Sequence, residues 1–429
     1  MMENNYQFET LQVQAGYTPD KLTGSRAVPI YQTSAYQFED VADAATQMAL
    51  EKPGYIYGRL GNPTTEVLEK RITALENGAS TVCFASGMAA ILAAIQNLAE
   101  SGSEVIAAST IYGGTYTLLF QRFELRYGIK VHRVDQDDIE SIRRAVNDKT
   151  RCIYLETIGN PTINIPDVEA ITALAHEHGL PVIIDNTFAT PYLFEAKKHG
   201  VDFVVHSLTK YIGGHGTSMG GSVTDLGTFD FKGNARFKEY NEADDSYHGL
   251  VYADLGNAGY CTKLRAGFLR DTGACLSPFN SFLILLGLDT LSLRMKKHCE
   301  NALAITAFLQ QHPQVTWINY PDLPSDKFYE RKQKYLPKGS GGIFTFGIKG
   351  GVEAGKKFID SLKLITLVVN VSDVHSMVLH PASTTHSQLS EDQLIAAGVP
   401  SDMVRFSTGL EDARDLINDI AQALEKAKA

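Results

Sequence analysis

Lys210 closes the run Asp202-Phe-Val-Val-His-Ser207-Leu-Thr209-Lys210-Tyr-Ile-Gly213-Gly214-His-Gly216, a short apolar stretch of strand character that ends among hydroxyls and glycines. A lysine at the end of a buried-type strand is desolvated, which lowers its pKa and favours the neutral, nucleophilic amine. Ser207 and Thr209 offer hydroxyl donors beside it, and the glycines let the backbone come close to a bulky ligand. The placement suits a Schiff base with a carbonyl compound, or a snorkelling lysine beside a glycine-rich turn.

A second strand-like run, Leu180-Pro-Val-Ile-Ile-Asp185-Asn186-Thr187, ends in a carboxylate 25 residues earlier (210 − 185), which leaves room for one helix and one more strand. Asp185 alone also reads as a turn or cap residue. A carboxylate and a lysine leaving one sheet edge together match the needs of pyridoxal phosphate. The lysine holds the aldehyde, and the carboxylate keeps the pyridinium nitrogen protonated as an electron sink.

Other candidates fit around this pair. Ser86-Gly87-Met88 lies between a strand and a helix, where backbone N–H groups and the helix dipole face an anion, or where a plain helix cap would stand. Tyr112 follows a strand and can stack on a cofactor ring or pack in a core. Arg405, in Met-Val-Arg-Phe-Ser, is an arginine among apolar neighbours, suited to bidentate capture of a substrate α-carboxylate or to a structural salt bridge. The Gly214-His-Gly216 run is followed by a strand-like segment, 219–224, rather than the helix that a dinucleotide loop requires. His380 and His386 read as structural loop histidines, and no metal is expected.

The elements that must position these residues alternate in type. Helical patterns cover 65–76, 88–98 and 168–178, and strand patterns cover 82–85, 104–108, 151–156, 182–185 and 203–206. That is the signature of an α/β fold with a mainly parallel sheet, whose strand ends bring Ser86, Tyr112, Asn160, Asp185 and Lys210 to one carboxyl edge. Residues 279–309 predict one long helix leading into a smaller α+β unit, with strands at 342–347 and 404–407 and helices at 352–362 and 412–428. We divide the chain into an arm (1–63), an α/β domain (64–277) and a C-terminal α+β domain (278–429).

Composition sets outer bounds. A chain of 429 residues with 44% hydrophobic and 21% charged content buries a large core. A net charge of −10 argues against nucleic acid or an anionic membrane as partner. Five cysteines without a C-x-x-C pair, and an N-terminus without the regions of a signal peptide, lead us to expect a reduced, cytoplasmic protein.

From about Thr10 onward the sequence resembles the pyridoxal-phosphate-dependent enzymes of Cys/Met metabolism. The motifs are Tyr57-Gly-Arg59-Leu-Gly-Asn62-Pro-Thr, Ala85-Ser86-Gly87-Met88, Tyr112-Gly113-Gly114-Thr115, Glu156-Thr-Ile-Gly-Asn160-Pro-Thr, Asp185-Asn-Thr, Ser207-Leu-Thr-Lys210-Tyr and Val404-Arg405-Phe-Ser-Thr-Gly-Leu-Glu411, all in family order. Three further segments, from Asp245, from Pro278 and from Leu379, are similar to the sulfhydrylase branch.

The resemblance implies a fold-type I, aspartate-aminotransferase-like architecture and pyridoxal 5'-phosphate bound to Lys210. It implies that Ser86, Gly87, Met88, Ser207 and Thr209 hold the phosphate, that Tyr57 and Arg59 reach it from a neighbouring subunit, and that the assembly is a homotetramer of obligate dimers. Tyr112 would stack on the ring and act in proton transfer, and Asp185 would pair with the ring nitrogen. Asn160 and Ser372 would orient the carboxylate held by Arg405 and the ring hydroxyl. The implied reaction converts O-acetylhomoserine and sulfide, or methanethiol, to homocysteine, or methionine, and acetate. Methionine γ-lyase and the cystathionine γ-synthases and lyases are the alternatives; Gly114 stands where the γ-lyases carry cysteine, and His375 where the cystathionine enzymes carry glutamate.

Overall fold

A computed structural model describes residues 6–384 and 398–428. Twelve strands are described: β1 (Ser80–Phe84), β2 (Glu104–Ala108), β3 (Lys130–Val134), β4 (Thr150–Glu156), β5 (Val182–Asp185), β6 (Phe203–Ser207), β7 (Gly221–Asp225), β8 (Val315–Asn319), β9 (Ile343–Ile348), β10 (Thr366–Leu367), β11 (Met377–Leu379) and β12 (Met403–Ser407). The first seven form one sheet in the order β1-β7-β6-β5-β4-β2-β3. Its pairings are parallel except where β7 runs antiparallel between β1 and β6.

β5 and β7 are buried at every position, and β1, β2 and β6 at all but one. That is the mark of a sheet covered on both faces, and it explains why these strands read as continuous apolar runs. The edge strand β3 mixes exposed and buried residues, which hid it from a search for apolar runs. The other five strands form a second sheet, β10-β11-β12-β9-β8, with its own core against the helices Gly351–Ser361 and Ala413–Ala427.

One predicted element divides. The expected helix over 279–309 is two, Pro278–Leu288 and Leu291–Gln310. The physical reason lies in the turn after Lys210. Gly287 touches that turn so closely that a Cβ there would stand 2.0 Å from the Gly213 carbonyl oxygen. The Gly287 carbonyl accepts from the Arg294 guanidinium at 2.7 Å, and Arg294 also donates to the Tyr211 and Ile212 carbonyls at 2.6 and 3.2 Å. The chain breaks at residues 289–290 so that one arginine can serve both sides.

Candidate active site

Asp185 is the last residue of β5 and pairs in register with Glu156 at the end of β4. It accepts hydrogen bonds from the Thr187 N–H at 3.0 Å and the Tyr154 hydroxyl at 3.3 Å. Burial pushes its carboxyl above the usual range, while those donors and the charge of His206 oppose the push. A cationic ring nitrogen at this carboxyl would favour its ionised form in the same way.

Lys210 sits in the turn after β6, its N–H bonded to the Ser207 carbonyl at 3.2 Å and its own carbonyl accepting from Gly214 at 2.7 Å. Its Nζ donates to Asn370 Oδ1 at 2.5 Å. Burial, then the nearby Arg405 charge, lowers the amine to about 8, with Asp373 opposing. The amine therefore releases its proton far more readily than a surface lysine.

The turn that carries Lys210 also borders a tight backbone cradle. Ser86 caps the helix Gly87–Gln96 by accepting the Ala89 N–H at 3.2 Å, so the N–H groups of Gly87 and Met88 precede the first helical bonds. A Cβ on Gly87 would stand 2.7 Å from the Ser207 Cβ, and one on Gly221 would stand 2.1 Å from the Ser86 carbonyl oxygen. β7 brings this about, because Gly221 pairs with Phe84 on one side and Ser207 on the other. Thr209 braces the same corner, its hydroxyl accepting the Gly220 N–H at 3.1 Å and lying 3.3 Å from the Gly220 carbonyl.

Tyr112 follows β2 with its ring half-exposed, and its N–H donates to Glu156 Oε1 at 2.7 Å. Gly114 lies against that ring, where a Cβ would come within 2.6 Å of a ring carbon. Arg405, on β12 of the second sheet, reaches across to Asn160 and donates to its Oδ1 at 3.2 Å. Burial lowers its guanidinium to about 10. A buried arginine whose hydrogen-bonded partner is a neutral amide is suited to receive a carboxylate. Ser372 is buried, holds φ at 66°, and donates its N–H to Ser407 Oγ at 2.8 Å.

An amine, a buried carboxylate, a helix N-terminus inside a cradle that only glycines allow, and an aromatic face together fit pyridoxal phosphate. Tyr57 and Arg59 lie elsewhere in their contacts. The Arg59 guanidinium stacks 5.5 Å from the Tyr57 ring centroid and donates to the Arg270 carbonyl. The His380 Nε2 donates to the Ser401 carbonyl at 3.1 Å, as a structural loop histidine does, whereas His386 falls outside the described residues. His375 is exposed and bonds Asp373 at 3.0 Å.

Two site residues escape the sequence reading. Glu156 ends β4 as Asp185 ends β5, so the same strand-end signal finds both. Asn370 lies in an irregular segment between the short strands β10 and β11, and nothing local in the sequence marks it.

A family model described as Cys/Met metabolism PLP-dependent enzyme matches residues 9–425. The chain is 48% identical to an O-acetyl-L-homoserine sulfhydrylase of Leptospira meyeri, with 99% of this chain and 98% of that protein covered. It is 45% identical to a homocysteine synthase of Schizosaccharomyces pombe, with 98% of each covered. Among solved structures, a putative O-acetylhomoserine (thiol)-lyase of Campylobacter jejuni, carrying N'-pyridoxyl-lysine-5'-monophosphate, superposes with a TM-score of 0.95 at 41% identity over 98% of this chain and 100% of that one.

Proposed function

The chain belongs to the Cys/Met metabolism PLP-dependent enzymes, and from that premise we propose that it catalyses γ-replacement on O-acetylhomoserine, giving homocysteine and acetate with sulfide. The observation that carries the reading is that Lys210, its amine lowered to about 8, and Asp185 leave neighbouring parallel strands of one sheet, with an arginine suited to an amino-acid carboxylate close to the lysine. Pyridoxal phosphate, when bound, supplies an aldehyde for the substrate amine and a ring that withdraws electrons from the substrate's α-carbon.

The protein's own groups do the rest. Arg405 binds the α-carboxylate, and Asn160 fixes the guanidinium that does so. Lys210 takes the proton from the α-carbon and returns it later; its pKa of about 8 suits a base working near neutral pH. Asn370 holds the amine in place between those transfers. Asp185 would hold a negative charge against the ring nitrogen of a bound cofactor, and the exposed Tyr112 ring would offer it an aromatic face. The substrate's β-carbon gives up a proton as acetate leaves the γ-carbon, hydrosulfide adds at the γ-carbon, and the β-carbon then takes a proton back.

Ser86, Gly87, Met88, Ser207 and Thr209 form the phosphate end of the site in this reading, and Ser372 the ring-hydroxyl side. Half-exposed Tyr57, with Arg59, completes a second subunit's site in a homotetramer built from dimers. We place the protein in the cytoplasm and the domain boundaries at 63/64 and 277/278; among the described residues no helix is long and apolar enough to cross a membrane.

The test incubates the purified protein with O-acetylhomoserine, with and without sulfide, and identifies products by mass spectrometry. Homocysteine that appears only with sulfide is the expected result. 2-Oxobutyrate formed regardless of sulfide would replace this reading with a γ-lyase.

A further inference from the structure

Two carboxyl groups stand side by side beneath the site, and the reaction above uses one of them. Glu156 and Asp185 are register partners on neighbouring parallel strands, which sets them about 4.8 Å apart with both side chains on one face of the sheet. Glu156 is 5% exposed and Asp185 8%. Each side chain ends in a buried carboxyl, and the charge of Asp185 raises Glu156, so the two do not readily ionise together.

The surrounding donors decide which one does. Asp185 receives the Thr187 N–H, the Thr187 hydroxyl and the Tyr154 hydroxyl, and it feels the charge of His206 on β6. Among the described residues Glu156 receives backbone groups, the N–H of Tyr112 at 2.7 Å and that of Asn160. Tyr154 faces both carboxyls and is held well above its ordinary range by burial, so it contributes a donor and no charge.

We propose that Glu156 is a positioning residue that carries the pair's proton. As a neutral acid it ties the Tyr112 and Asn160 loops to the sheet edge and leaves Asp185 as the single negative charge. An ionised Glu156 would draw the proton onto Asp185, which would then have no charge to offer a ring nitrogen. The link to the cofactor rests on the function proposed above. The protonation does not, because it follows from two strand ends and their donors.

The experiment compares the holoenzyme with its Glu156→Gln and Glu156→Ala variants. Glutamine keeps a carbonyl oxygen for the Tyr112 N–H and cannot ionise, so it mimics the neutral acid. In the infrared difference spectrum between wild type and Glu156→Gln at neutral pH, the expected signature is loss of a protonated carboxylic-acid carbonyl band. Glu156→Gln is expected to release pyridoxal phosphate on dialysis within about twofold of the wild-type rate, and Glu156→Ala roughly tenfold faster or more, since two buried N–H groups lose their acceptor.

Loss of ionised-carboxylate bands on substitution by glutamine would overturn the proposal, as would a Glu156→Gln protein that sheds cofactor as fast as Glu156→Ala. Should the alanine variant fail to fold, the spectrum of the glutamine variant decides alone. Should the protein hold no pyridoxal phosphate, the proposed function falls, while the same spectrum of the cofactor-free protein still answers for Glu156.

Discussion

Lys210 owes its lowered pKa to where it is buried, and that burial has a measurable cost. Its ordinary value of 10.5 falls to about 8 in the folded chain, chiefly through desolvation. An unfolded chain therefore keeps this proton up to a higher pH than the folded one, so the folded state gains stability as pH rises through the window between those values. Below it, the cofactor-free protein holds a buried ammonium at a loss. Lys210→Met is predicted to stabilise the cofactor-free protein by about 1–3 kcal/mol at pH 7, with the gain shrinking above pH 8; denaturant titrations at several pH values check both the size and the trend.

Arg405 offers a contrasting test at the same scale. Arg405→Ala is expected to raise KM roughly 100-fold or more, and Arg405→Lys to restore little of it, because a point charge cannot replace the planar fork. The visible absorbance of bound cofactor should survive both changes, which steady-state kinetics and a spectrum together can establish.

At the scale of elements, the site is made by strand ends and one antiparallel strand. β7 presses Gly221 against Ser86, and that contact closes the cradle around Gly87. A methyl group at Gly87 has the Ser207 Cβ at 2.7 Å and backbone beside it, with little room to yield. Gly87→Ala is predicted to destabilise the protein by about 1–3 kcal/mol and to weaken cofactor binding, read out by thermal unfolding and by titration with pyridoxal phosphate.

Much of this was legible in the sequence, because β5 and β6 are buried on both faces and so read as apolar runs with a functional residue at the end. Residues held by contacts remote in the chain were not legible. Asn370 meets Lys210 across 160 positions, and the break at residues 289–290 answers a glycine contact and an arginine that no helical period records.

At the scale of the whole molecule, the site needs both sheets. Lys210 and Asp185 come from the first sheet and Arg405 from the second, and Arg294 staples the turn after Lys210 to the helices between them. Arg294→Leu leaves the Tyr211, Ile212 and Gly287 carbonyls without that donor. The predicted loss is about 2–4 kcal/mol, visible as a lower denaturant midpoint.

The proposed function depends on one covalent attachment. The purified protein, reduced with borohydride and digested, should yield a single pyridoxyl-phosphate-bearing peptide whose modified residue is Lys210, and Lys210→Ala should abolish both that peptide and the visible absorbance. A label on another lysine, or an absorbance band that survives Lys210→Ala, would contradict the site described for this chain.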